Sequence, residues 1–99
     1  MKNYELALVL VASLGEEEKL AQLEKVKELI VRFGGEITNV DDWGKRKLAY
    51  EIKKIDKHRE GFYYFIHFNA EPSTPAEVES RLRITESVLR YLIVRLDEK

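Results

Sequence analysis

No cysteine occurs among the 99 residues, which excludes a disulfide framework, a thiolate metal site and a thiol nucleophile. With only two prolines and five glycines, the chain shows neither a linker nor a low-complexity segment. The two histidines, His58 and His67, fall short of the ligand count of a zinc site, and His67 reads as a hydrogen-bonded structural residue. No Ser or Thr stands in a nucleophile or phosphate-loop setting, and Gly34-Gly35 lacks the further glycine of a dinucleotide fingerprint. Asp41 and Asp42 are neighbours in extended chain and point to opposite faces, a poor arrangement for an acid–base pair. No apolar run approaches the roughly 20 residues that cross a bilayer. The opening Met-Lys-Asn-Tyr-Glu leads into strand-like chain without the anatomy of a signal peptide. The expectation is a protein with no catalysis, no metal or other cofactor, no small-molecule substrate and no membrane contact, resident in the cytoplasm.

What is present is one globular domain, residues 1–99, of ordinary composition, with 44% hydrophobic residues and a net charge of -1. That average conceals a strong asymmetry. Residues 1–44 carry five basic and nine acidic side chains, residues 45–59 seven and two, and residues 60–99 five and seven. A short basic block between two acidic ones is the electrostatic footprint of a phosphate-binding surface, although solubility alone also accounts for a charged hairpin.

The hydropathy pattern gives the order of elements. From Tyr4 to Ala12 the chain alternates, with Tyr4, Leu6, Leu8 and Leu10 on one face and Glu5, Ala7, Val9 and Val11 on the other. Both faces are largely apolar, as suits a central strand. From Glu16 to Phe33 the period becomes helical, with Leu20, Leu23, Val26, Leu29, Ile30 and Phe33 on the inner side. Glu16, Glu17 and Glu18 complement the helix dipole, and Gly34-Gly35 supplies a left-handed stop. Residues 36–43 and 44–52 read as extended, broken near Asp41-Asp42 and Gly44 by a bulge or bend. A charged hairpin loop runs from Lys54 to Glu60, and Gly61 opens the aromatic strand FYYFIHF. Thr74-Pro75-Ala76-Glu77 sets an N-cap, a first-turn proline and a capping-box glutamate for a helix ending near Leu82, and Val88 to Leu96 is the last strand. The order β-α-β-β-α-β predicts an α+β fold with a four-stranded antiparallel sheet, both helices on one face and the other face open.

The candidate site is a binding surface. In WGKRKLAYEIKK, Lys45, Arg46, Lys47, Lys53 and Lys54 interleave with Trp43 and Tyr50, joining phosphate neutralisation to planar groups that stack on bases or riboses. For Trp43 and Tyr50 the other reading is packing at a sheet edge. Leu48 and Ile52 share a face with Tyr50 and anchor the strand to the core, with Lys45, Lys47 and Lys53 pointing elsewhere. Glu60-Gly61-Phe62-Tyr63-Tyr64 matches the RNA-recognition-module strand motif only in part, because an acid replaces the basic residue and Tyr63 the small one.

The run Gly44, Lys45, Arg46, Lys47, Leu48, Ala49, Tyr50, Glu51, Ile52 and Lys53 resembles the signature of the bacterial small-subunit ribosomal protein six family. The opening Met1-Lys2-Asn3-Tyr4-Glu5 and the passage Leu82-Arg83-Ile84 through Val88-Leu89-Arg90 to Val94-Arg95 resemble the same family, so the likeness covers essentially the whole chain. Glu51 stands where relatives can have proline, and the long acidic C-terminal tail of some members is not carried over. The resemblance implies a ferredoxin-like domain, a non-catalytic scaffold of the ribosome. It further implies binding to the central domain of small-subunit ribosomal RNA, cooperatively with small-subunit ribosomal protein eighteen. Lys45, Arg46 and Lys47 are then the phosphate contacts, with Arg83 and Arg90 a second group near the last strand and Lys2 with Tyr4 at the same margin. A basic partner protein would meet the acidic blocks. The competing expectation is a ferredoxin-like regulatory or oligomerisation module that binds a ligand or itself through the open face, on which Val9, Val11 and Phe65 lie. An acylphosphatase-like enzyme is set last, for want of a phosphate loop after the first strand.

Overall fold

The computed structural model describes residues 1–52 and 58–96, with the backbone alone for residues 47–52, 58 and 59. Its elements follow the expected order: β1 (Lys2–Val11), α1 (Glu16–Arg32), β2 (Glu36–Ile52), β3 (His58–Ala70), α2 (Thr74–Leu82) and β4 (Val88–Arg95). The strands form one antiparallel sheet in the order β2-β3-β1-β4, leaving β2 and β4 as its edges.

Strand alternation builds the core. Tyr4, Leu6, Leu8 and Leu10 of β1 pair with Phe68, Ile66, Tyr64 and Phe62 of β3, so eight large side chains point to the helix side. Val26 and Ile30 of α1 and Val78 and Leu82 of α2 close over them. Burying each such side chain contributes about 1.5–3 kcal/mol, so this layer drives folding. Tyr4 is part of it, only 6% exposed and stacked on Phe68 at 5.6 Å between ring centroids.

The helix ends show where local signals hold and where they are overridden. Glu18 accepts the Gly15 N–H at 3.1 Å, closing the start of α1. At its far end Gly34 takes φ +93, and the Gly35 N–H donates to the Ile30 carbonyl at 2.8 Å, the expected left-handed stop. Two details of the helices depart from the periodicity. On α1 it is Lys19 rather than Leu20 that lies inward: Leu20 is 52% exposed, whereas Lys19 continues the buried row Leu23, Val26 and Ile30. Thr74 is not an N-cap but the first residue of α2; it is buried, and its hydroxyl donates to the Phe33 carbonyl at 2.8 Å, tying the start of α2 to the end of α1. A tertiary acceptor has displaced the local one.

The second sheet face is less open than expected at one end. Val9 and Val11 are buried there in a small cluster with Leu89, against which Leu14 and Tyr63 pack. Of the apolar residues assigned to that face, Ala7 and Phe65 remain partly exposed. The expected loop from Lys54 to Glu60 is corrected at its end, where His58, Arg59 and Glu60 already belong to β3; residues 53–57 lie outside the described residues.

Candidate nucleic-acid interface

The geometry of the site follows from one irregularity in β2. Register against β3 shifts between Asp42 and Gly44, leaving Trp43 as the extra residue of a bulge. Gly44 sits at φ +75, a conformation that favours glycine, and its N–H donates to the Asp42 carboxylate at 2.8 Å. Past the bulge, Lys45 pairs with Phe62 and Arg46 with Gly61.

Because Phe62 faces the helices and Gly61 the other side, the basic segment does not form one face. Lys45 is a correction: expected to point away from the core face, it lies on the helix side with its ammonium 5.9 Å from the Phe62 centroid, and it is Arg46 that lies on the open side. Arg46 is fixed there by two contacts to Trp43: its Nε–H donates to the Trp43 carbonyl at 3.1 Å, and its guanidinium sits 5.6 Å from the ring. Trp43, half exposed, tilts onto Phe65 with centroids 4.8 Å apart. Edge packing and exposure of a planar face therefore coexist in this one residue. Asp41 and Asp42 diverge as the alternation requires, opposite Phe65 and Tyr64 respectively.

The remaining predicted contacts spread out. Lys53 lies outside the described residues, as do the side chains of Lys47 and Tyr50 and those of Leu48 and Ile52. Arg90 shares the open face with Arg46, but on the opposite edge strand, three strand spacings or roughly 14 Å away. Arg83 is exposed just beyond α2. Lys2 is partly exposed, seven positions along β1 from the Val9 that Arg90 faces, roughly 23 Å. It does not share a margin with Arg90. Tyr4 is a correction: its side chain is committed to the core and offers no surface to a nucleic acid.

Sequence reasoning missed Lys19. Its ammonium lies 4.7 Å from the centroid of Phe62, the ring that Lys45 also approaches, and 3.2 Å from the Glu16 carboxylate. The hydrogen bond to Glu16 raises its pKa above the ordinary lysine value, so it stays charged. A charged residue four, seven and eleven positions from Leu23, Val26 and Ile30 on an apolar stripe was the available signal. Beneath it the Tyr64 hydroxyl is fully buried with no hydrogen-bond partner among the described residues, and burial, helped by Asp42, pushes its pKa up. His67 is a structural residue, its Nε2 2.9 Å from the Glu5 carboxylate directly across the β1–β3 pair. Among the described residues no group of three or more His, Cys, Asp or Glu is placed to hold a metal, and no helix is long and apolar enough to cross a membrane.

Comparison with known proteins bears on the whole chain. The family model described as Ribosomal protein S6 matches residues 3–95. The small ribosomal subunit protein bS6 of Caldanaerobacter subterraneus subsp. tengcongensis is 51% identical over 98 residues, covering 99% of this chain and all of that protein. The bS6 protein of Clostridium kluyveri is 52% identical over 99 residues, covering both chains completely. The crystal structure of 30S ribosomal protein S6 from Thermotoga maritima superposes with a TM-score of 0.87 at 34% identity, covering 96% of this chain and 87% of that one. The chain belongs to the ribosomal protein S6 family and is a structural, non-enzymatic protein of the small ribosomal subunit, on the cytoplasmic ribosome of bacteria.

Proposed function

We propose that this protein binds the central domain of small-subunit ribosomal RNA cooperatively with small-subunit ribosomal protein eighteen, using the edge strand β2 as its main RNA contact. The observation that carries this reading is the bulge at Trp43-Gly44. Strand alternation exposes Lys45 and Arg46 on opposite sides of this edge, and the bulge decides that Lys45 takes the helix side and Arg46, braced on Trp43, the open side. Phosphates that pass along the edge then meet positive charge from both sides, while Trp43 offers a half-exposed ring for stacking. Lys47, Lys53 and Tyr50 extend the same segment. Arg90, Arg83 and Lys2 stand apart from this segment and from one another, reached only by an RNA that spans the sheet. Such contacts orient and hold RNA; specificity then comes from RNA shape and from the partner protein. The acidic flanking segments, net -4 over residues 1–44 and -2 over residues 60–99, favour a basic partner.

The test is binding to a central-domain RNA fragment at several salt concentrations, with and without ribosomal protein eighteen. Tight, salt-sensitive binding that needs the partner is expected. A folded protein that binds in neither condition sinks the proposal. A second reading, self-association through the open face, draws on the exposure of Leu92 and Val94 on β4, at 60% and 38%. Sedimentation of the same sample decides it: a stable dimer without RNA affinity favours self-association.

A further inference from the structure

We propose that Lys19 of α1 is an RNA phosphate contact, acting together with Lys45 as a second cationic pair on the helix side of β2. This rests on the RNA-binding reading above and adds a residue that lies outside the basic segment, 26 positions before Lys45. Four observations converge on it. The two ammonium groups approach one ring, Phe62, at 4.7 Å and 5.9 Å from its centroid, although they come from different elements. Two ammonium groups this close to one centroid raise the local positive potential, which an anion bound beside them offsets. Lys45 has no carboxylate within 4.0 Å among the described residues, and Lys19 has only Glu16, whose side chain is 78% exposed. Burial of the Lys19 side chain, only 11% exposed, holds the ammonium in place before any ligand arrives.

The arrangement describes an exchangeable ion pair. Glu16 neutralises Lys19 in the free protein, and an incoming phosphate takes its place between Lys19 and Lys45. Arg46 and Trp43 meet the RNA from the other side of the same strand, so the backbone straddles the β2 edge. Asp42 of β2 and Glu60 of β3 are the strand acids on this side, and the Asp42 carboxylate already accepts the Gly44 N–H.

The experiment measures affinity and salt dependence for the central-domain fragment, with ribosomal protein eighteen present, for the wild type and for Lys19→Gln, Lys19→Arg, Glu16→Gln and Glu17→Gln. Lys19→Gln is expected to weaken binding and to lessen the salt slope by about 1. Lys19→Arg keeps the slope. Glu16→Gln is expected to tighten binding by more than Glu17→Gln, a neighbouring exposed acid that removes the same charge. A folded Lys19→Gln protein with the wild-type slope overturns the proposal. So does Lys19→Arg losing as much as Lys19→Gln, because packing rather than charge would then be responsible. If Lys19→Gln does not fold, the Glu16→Gln and Glu17→Gln pair decides: equal effects overturn it. A wild-type protein that does not bind the RNA at all removes the underlying functional reading, and this contact with it.

Discussion

His67 and Glu5 face each other across β1 and β3 on the open side of the sheet, with Nε2 2.9 Å from the carboxylate oxygen. Both side chains are about one third exposed, at 31% and 29%, so water screens the pair and its contribution is small. Replacing His67 by alanine should cost no more than about 1 kcal/mol in urea unfolding and should leave RNA assembly unchanged. A loss of RNA binding without a loss of stability would give His67 a role at the interface.

Thr74 makes a different kind of contact, since its hydroxyl is buried and reaches 41 residues back to the Phe33 carbonyl. Thr74→Val keeps the shape but strands that carbonyl, at a cost of about 1–3 kcal/mol. Ser73→Ala, in contrast, should change little, because Ser73 makes no side-chain capping bond. Chemical denaturation of the two variants distinguishes a tertiary staple from a helix cap: equal losses would restore the capping role.

The same residue marks what was legible in the sequence. Element order, the β1 faces, the Gly34 stop and the bulge near Gly44 are all encoded by local pattern, and the structure keeps them. Thr74 and Leu20 depart from the reading because their roles depend on neighbours distant in the chain. A capping motif and a carbonyl on another helix compete for one hydroxyl, and the carbonyl wins. For Tyr4 the alternation of β1 points to the core face of Leu6, Leu8 and Leu10, and its pairing with Phe68 keeps it there; only the RNA contact implied by the family resemblance fails. The basic run was legible as charge and not as geometry. Which of Lys45 and Arg46 takes the helix side depends on the bulge before them, and Lys19 joins Lys45 there only when α1 packs on the sheet.

Tyr64 should be dispensable as a phenol. Its hydroxyl has no partner among the described residues, so Tyr64→Phe removes a buried polar group that gains nothing, and stability should hold or rise by about 1 kcal/mol. Its folded pKa lies above the ordinary 10.0, and that of Lys19 lies above 10.5. Raised values in the folded state mean that the folded protein binds more protons than the unfolded chain at high pH. The stabilisation is therefore complete below pH 10.0 and is lost as pH rises beyond it. Denaturation midpoints should fall above that pH in the wild type and fall less steeply in Tyr64→Phe. Parallel curves would show that the hydroxyl is hydrated.

Arg46 and Lys45 stand on opposite sides of β2 and should act as independent phosphate contacts. Arg46→Ala and Lys45→Ala should each lessen the salt slope of RNA binding by about 1, and the double variant by about the sum. Arg46→Ala should also loosen Trp43, whose carbonyl and ring it touches, and so lower near-ultraviolet dichroism or shift tryptophan fluorescence. An unchanged slope in either variant removes that residue from the interface.

Gly44 tests the link between backbone and binding without touching a charged or aromatic side chain. At φ +75 any other residue is strained, and a Cβ there would meet no atom of the described residues within 4 Å, so the penalty of Gly44→Ala is conformational rather than steric. The expected cost is about 1 kcal/mol of stability. The bulge is what sets Lys45 and Arg46 on their present sides, because a one-residue change in register exchanges the two faces of a strand. Gly44→Ala should therefore weaken RNA binding beyond what its stability loss explains, with all the cations still present. Gly44→Asn, which tolerates a positive φ better than alanine, should recover part of the affinity. If both variants bind as the wild type does, the bulge is a feature of the fold alone and the placement of charge around β2 does not depend on it.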